Sequence, residues 1–203
     1  MPTLSIYLNL INFKDTKMIT KRRIFCFLPF MITPGAYAAS AGTVEFNGEI
    51  IAGTCTIKSG DVNKVVTLPK VSSENLKTSG STAGSKVFTI EVSNCATTIN
   101  GVTAHFEAIN GTTGYDVQTN NLTNDVVTDA TATPPVKAAG NVQIRLFDKG
   151  GTTQVQVGGT DGAFVRTNAA HEATMEYVAS YYATGAATEG TVHANVAYTL
   201  AYN

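Results

Sequence analysis

From residue 86 to residue 95 the chain reads KVFTIEVSNC, and its apolar side chains fall on every second position. Phe88, Ile90 and Val92 share one face; Val87, Thr89 and Glu91 share the other. A period of two is the repeat of an extended strand with one buried side, and a helix would scatter the same residues around its axis. The alternation returns in NVQIRLFD (141–148), where Val142, Ile144 and Leu146 align, and in TVHANVAYTLAY (191–202), where Val196, Tyr198, Leu200 and Tyr202 align. It is also present in GTVEFNGEIIAGTCTI (42–57), first at Val44 and Phe46 and again at Cys55 and Ile57. KVVTLP (64–69), VTAHFEAI (102–109) and ATMEYVASYYATG (173–185) supply further strands.

Turn signals separate these runs: KSGD (58–61), KGG (149–151), and Asn100-Gly101, which predicts a hairpin. The Ser/Gly-rich stretch 71–85 reads as a loop with one helical turn at Ser73–Leu76. Residues 110–140, rich in Asn, Thr, Ala and Pro, read as a long exposed segment around short strands. No amphipathic helix of three turns, no interdomain linker and no internal repeat is visible. The pattern predicts one all-β domain built as a sandwich.

Composition narrows the function. Charged residues make up 14% of the chain, well under the usual quarter, and the formal net charge is -1. Neither a basic excess for nucleic acid nor a long charge run is present. The N-terminal region has a separate character. Lys21, Arg22 and Arg23 precede the apolar stretch IFCFLPFMI (24–32), followed by TPGAYA, whose Ala36-Tyr37-Ala38 is a small-x-small cleavage pattern. This is the layout of a secretory signal, with cleavage expected between Ala38 and Ala39. The apolar stretch is too short to span a bilayer. Residues 1–17 fit a signal poorly, so Met18 is the expected initiator. Cleavage removes Cys26 and leaves Cys55 and Cys95, 40 residues apart. Two cysteines in an exported chain predict one disulfide, worth about 4 kcal/mol in chain entropy; the alternative is a pair of free buried thiols.

With these residues in view, the chain resembles the fimbrial (pilus) subunits assembled by the chaperone–usher route, and most of all the major shaft subunits of type 1 fimbriae. The resemblance is carried by GTVEFNGEIIAGTC, VSNC and YYATGAATEGTVHANVAYTLAYN, and by four positions in combination: Cys55, Cys95, Gly190 and the penultimate Tyr202. It implies an incomplete immunoglobulin-like β-sandwich completed by a donor strand from another subunit. It also implies a division into 1–38 (upstream residues and signal), 39–48 (donor extension) and 49–203 (pilin domain), with the domain's own first strand starting near Glu49. Gly42, Val44 and Phe46 would be the donor face. Val196, Tyr198, Leu200 and Tyr202 would border the gap, with Gly190 ahead of them. The carboxylate of Asn203 would be held by a periplasmic chaperone. The other implied partners are neighbouring subunits, in a homopolymer, and an outer-membrane usher; the implied location is the cell-surface fimbrium, reached through the periplasm. Sixteen positions from Ala39 to Cys55 make a short extension for this family.

Catalytic readings are weak. His105, His171 and His193 are scattered, His171-Glu172 lacks a second histidine, and Asp125, Asp129 and Asp148 are dispersed. Gly158–Gly162 reads as a turn. Asn110-Gly111-Thr112 and Asn121-Leu122-Thr123 match the glycosylation pattern but read as turn residues. The expectation is a structural subunit supporting adhesion, with no enzyme activity, cofactor, metal, nucleic acid or small-molecule substrate. The alternatives are a minor adaptor or terminator pilin and, from another class, a secreted single-domain carbohydrate-binding protein. A tip adhesin's extra binding domain finds no room after Ala39, and no Trp is present to stack on a sugar.

Overall fold

The computed structural model describes residues 44–45, 48–50, 53–109, 114–159 and 162–203. Gly48–Asn203 form one compact unit. Its strands are β1 (Thr56–Ile57), β2 (Thr82–Ser93), β3 (Gly101–Glu107), β4 (Tyr115–Asp116) and β5 (Asn121–Thr123). They continue with β6 (Val142–Asp148), β7 (Gln154–Val155), β8 (Val165–Arg166), β9 (Ala173–Ala183) and β10 (Ala197–Tyr202). One short 3-10 turn, Ser73–Leu76, is capped by the Ser72 hydroxyl, which accepts from the Glu74 N–H.

Seven strands make one antiparallel sheet in the order β1-β2-β9-β6-β5-β4, with β7 sharing the β6 edge that β5 also uses. Its spine is the long β2–β9 ladder, from Thr82↔Tyr182 to Val92↔Ala173. The second sheet is β10-β3-β8. Between the sheets lies the core. Ile90, Val92, Ile144, Leu146 and Met175 come from the large sheet and Val102, Ala104 and Phe106 from the small one. The alternating positions read from sequence in β2 and β6 are the buried ones because a pleated strand sends successive side chains to opposite faces. Tyr177 links the sheets: its hydroxyl accepts from Ala104 N–H at 2.8 Å and its ring meets Phe106 edge-on, centroids 5.1 Å apart. Cys55 and Cys95 are joined by a disulfide, S–S 2.07 Å.

The structure corrects several expectations. Asn100-Gly101 makes no hairpin: β2 belongs to the large sheet and β3 to the small one, so the chain crosses between sheets there. The stretch 71–85 is not loop throughout, since β2 begins at Thr82. Gly84, at φ +68°, carries the irregular register between Ala83 and Lys86, and a Cβ there would press on Tyr181 and Val71 at 2.8 and 2.9 Å. Glu49 and Ile50 are exposed and outside any strand; the first described strand is β1, at Thr56. Residues 64–69 join no strand ladder among the described residues. The last strand begins at Ala197 rather than 191, where its ladder with β3 starts. Asn121 is not a turn residue. It is fully buried in β5, where its amide donates to Gln143 at 2.8 Å and its carbonyl accepts from Arg145 at 2.9 Å.

Candidate functional site

β10 pairs along its whole length with β3, from Ala197↔Glu107 to Tyr202↔Val102. Among the described residues no strand pairs with its other edge. Facing that edge across the sandwich is the unladdered segment 62–68, and between the two lies a cavity of about 660 Å³. One wall is 62–68 and the other is 192–198; the floor is core, with Phe88 and Ile90 from β2, Phe106 from β3 and Ile144 and Leu146 from β6. A second cavity of about 450 Å³ continues toward Val71, Leu76 and Gly190, and the two share Tyr181 and Val192. Among the described residues, core side chains thus face an open trough with no strand laid over it. Unpaired strand edges and exposed core surface are both costly, so a segment that covered the trough would stabilise the fold.

Val196, Tyr198, Leu200 and Tyr202 all pack on the core from β10 and the residue before it. The trough runs beside 190–198, and Tyr198 is the last residue of β10 that lines it. Two hydroxyls close the sandwich there: Tyr198 donates to the carbonyl of Asp61 at 2.8 Å, and Tyr202 accepts from the N–H of Cys55 at 3.1 Å. Burial, then the nearby Asp61 charge, pushes the Tyr198 phenol up from its ordinary range. Gly190 lies in the second cavity with φ +156°, where a Cβ would sit 2.5 Å from the carbonyl carbon of Ala138; the backbones touch as Thr191 bridges Ala138. Only glycine allows that approach. Asn203 is exposed, and its N–H donates to Gly101 at 3.2 Å.

Of the expected donor face, Gly42 and Phe46 lie outside the described residues, as do Ala38, Ala39 and Met18; Val44 is 78% exposed. The histidines are not brought together. His193 Nδ1 lies 2.5 Å from Asp125 on the trough's mouth, His105 lies 3.6 Å from Glu107, and His171 sits in a turn at φ +59°. No group of three metal-ligating side chains occurs among the described residues.

Sequence reading missed Asp61, taken only as part of a turn. It is 6% exposed. Burial opposes its ionisation, but hydrogen bonds from Lys64 and from the Glu91 N–H outweigh that and hold its carboxyl below the ordinary 3.8. The available signal was an acid between lysines 58 and 64 at the start of an apolar run.

Among the described residues, a two-sheet sandwich whose core side chains line an open trough beside its edge strand defines the class, an incomplete β-sandwich. Comparison with known proteins agrees. The family model for type-1 fimbrial protein A matches residues 68–203. The F17 fimbrial protein of Escherichia coli is 38% identical over 174 residues, 82% of this chain and 90% of the relative. The major fimbrial subunit SMF-1 of Stenotrophomonas maltophilia is 35% identical over 172 residues, 84% and 97% of the two chains. The chain belongs to the type-1 fimbrial protein family. Its fold matches a subunit of a chaperone–usher pilus at TM-score 0.55, with 20% identity over 82% of this chain and 98% of the other. It also matches the P pilus rod subunit PapA at TM-score 0.54, with 17% identity over 73% and 99%. The fold is therefore an incomplete immunoglobulin-like sandwich, and members of this family are fimbrial subunits that polymerise with other pilins into surface fimbriae.

Proposed function

We propose that this chain is a shaft subunit of a chaperone–usher fimbrium, which joins its neighbours by laying residues 39–48 of one copy into the open trough of the next. The trough beside 192–198, lined by core side chains and with no strand laid in it among the described residues, is the observation that carries this reading. Strand addition at a sheet edge gives register through main-chain hydrogen bonds and specificity through alternate side chains; chaperone–pilin complementation is a standard example. Val44 and Phe46, on the face opposite Glu45 and Asn47, are the large apolar groups on offer, and each buried side chain contributes about 1.5–3 kcal/mol. Giving a strand to one neighbour and receiving one from another is a head-to-tail contact that does not close, so it generates a filament.

Before assembly the same trough needs cover. In this reading the signal within 1–38 directs export and is cut between Ala38 and Ala39, a periplasmic chaperone lends the missing strand and grips the Asn203 carboxylate, and an outer-membrane usher passes the subunit to the growing fibre. The role is mechanical. Expression from Met18 with the cognate chaperone and usher, followed by negative-stain microscopy, is expected to show fibres, and mass spectrometry of sheared fibres is expected to find Ala39 as the first residue. A stable, sugar-binding monomer that forms no fibres would overturn the proposal in favour of a secreted carbohydrate-binding protein.

A further inference from the structure

We propose that Asp61 is the positioning residue of the trough, holding the wall 62–68 at a set distance from β10 so that a donor strand can enter between them. This inference rests on the donor-strand reading above. Asp61 lies in the turn, 59–63, through which the chain leaves the β1–β2 ladder for the unladdered wall. Three bonds from three different parts of the fold converge on it. Its Oδ2 accepts from the Glu91 N–H of β2 at 2.8 Å. Its Oδ1 accepts from the ammonium of Lys64, within the wall, at 2.5 Å. Its carbonyl accepts from the Tyr198 hydroxyl, reaching across from β10, at 2.8 Å. One residue thus fixes the large sheet, the wall and the opposing edge strand to a common point.

The wall needs such a tie because little else secures it. It shares no ladder among the described residues, and Val65 is 86% exposed; only Val66 and Leu68 turn toward the interior. Hydrogen bonds to an ionised group are about twice as strong as neutral ones, and a buried carboxylate deprived of them is penalised. The charged and titratable groups around Asp61 are Lys58 and Lys64 on its own side, Glu91 of β2, whose side chain pairs with Lys58 at 2.9 Å, and Tyr198 of β10. Because the carboxyl titrates lower in the folded chain than in the unfolded one, the anchor is complete above the ordinary value of 3.8 and is lost as the pH falls through the lower folded value.

The test uses the exported subunit with a synthetic peptide of residues 39–50 as donor, and reads the lifetime of the complex by exchange against labelled peptide. Asp61→Ala is expected to shorten that lifetime about tenfold, and Asp61→Asn and Lys64→Met by smaller factors. Acidification through the lowered range in which the folded Asp61 carboxyl titrates is expected to bring the wild type down to the Asp61→Asn lifetime, so that the two curves merge. A purely structural role would leave the curves parallel. Should Asp61→Ala not be recovered, Lys64→Met and the wild-type pH series decide alone. Wild-type lifetimes in these variants, or curves that stay parallel in acid, would overturn the inference. Failure of the wild type to take up the peptide at all would overturn the donor-strand reading, and this inference with it.

Discussion

β2 and β10 carry the same local pattern, apolar groups on alternate residues, yet they meet opposite fates. β2 has β1 on one side and β9 on the other, and its Ile90 and Val92 are 1% and 0% exposed. Among the described residues β10 has only β3, and its Tyr198, Leu200 and Tyr202, with Val196 just before them, are all left partly buried. The side chains are comparable; the supply of neighbours is not. An apolar face on a strand is enclosed only when strands stand on both sides of it and a second sheet lies over it, so the strand that lacks a neighbour becomes the place where a partner is needed.

This contrast can be broken or sharpened by experiment. The largest effect is expected from deleting residues 198–203, which removes most of the β10–β3 ladder together with Tyr198 and Tyr202; the truncated chain should neither accumulate in the periplasm nor join fibres. Val92→Ala, in the enclosed strand and away from the trough, should cost about 2 kcal/mol in denaturant unfolding, and the same amount with or without donor peptide. Val196→Ala, on the trough wall just ahead of the open strand, should cost about 1.5 kcal/mol, most of it appearing only when the peptide is bound, because that side chain is fully enclosed only then. Equal peptide dependence at both sites would erase the distinction between the two strands. The smallest effect is expected at Lys137→Met, which breaks an exposed 2.9 Å pair with Glu189 beside Gly190; thermal melting should be unchanged, because solvent screens such a pair.

Much of the fold was legible in the residues because it depends on a local rule. The buried faces of β2 and β6 follow from alternation, and the single helical turn follows from the Ser-Glu-Asn-Leu run behind Ser72. The errors share a different cause. The hairpin expected at Asn100-Gly101 was locally sound, but the following strand found its ladder partners, β10 and β8, far along the chain. Residues 64–69 have good strand character and no partner to make them a strand. Asn121 fits a turn by composition, yet two long side chains, Gln143 and Arg145, satisfy its amide inside the sheet.

By itself the sequence determined that the chain forms a sandwich of strands and that its last residues form a strand, because alternation and composition act within a few residues of one another. Only the tertiary structure decided where that sandwich stays open. The trough ends at Tyr198, not at the C-terminus, because hydroxyls on β10 reach Asp61 and Cys55 across the fold. Such reach joins residues more than a hundred positions apart, a distance over which no local pattern carries information.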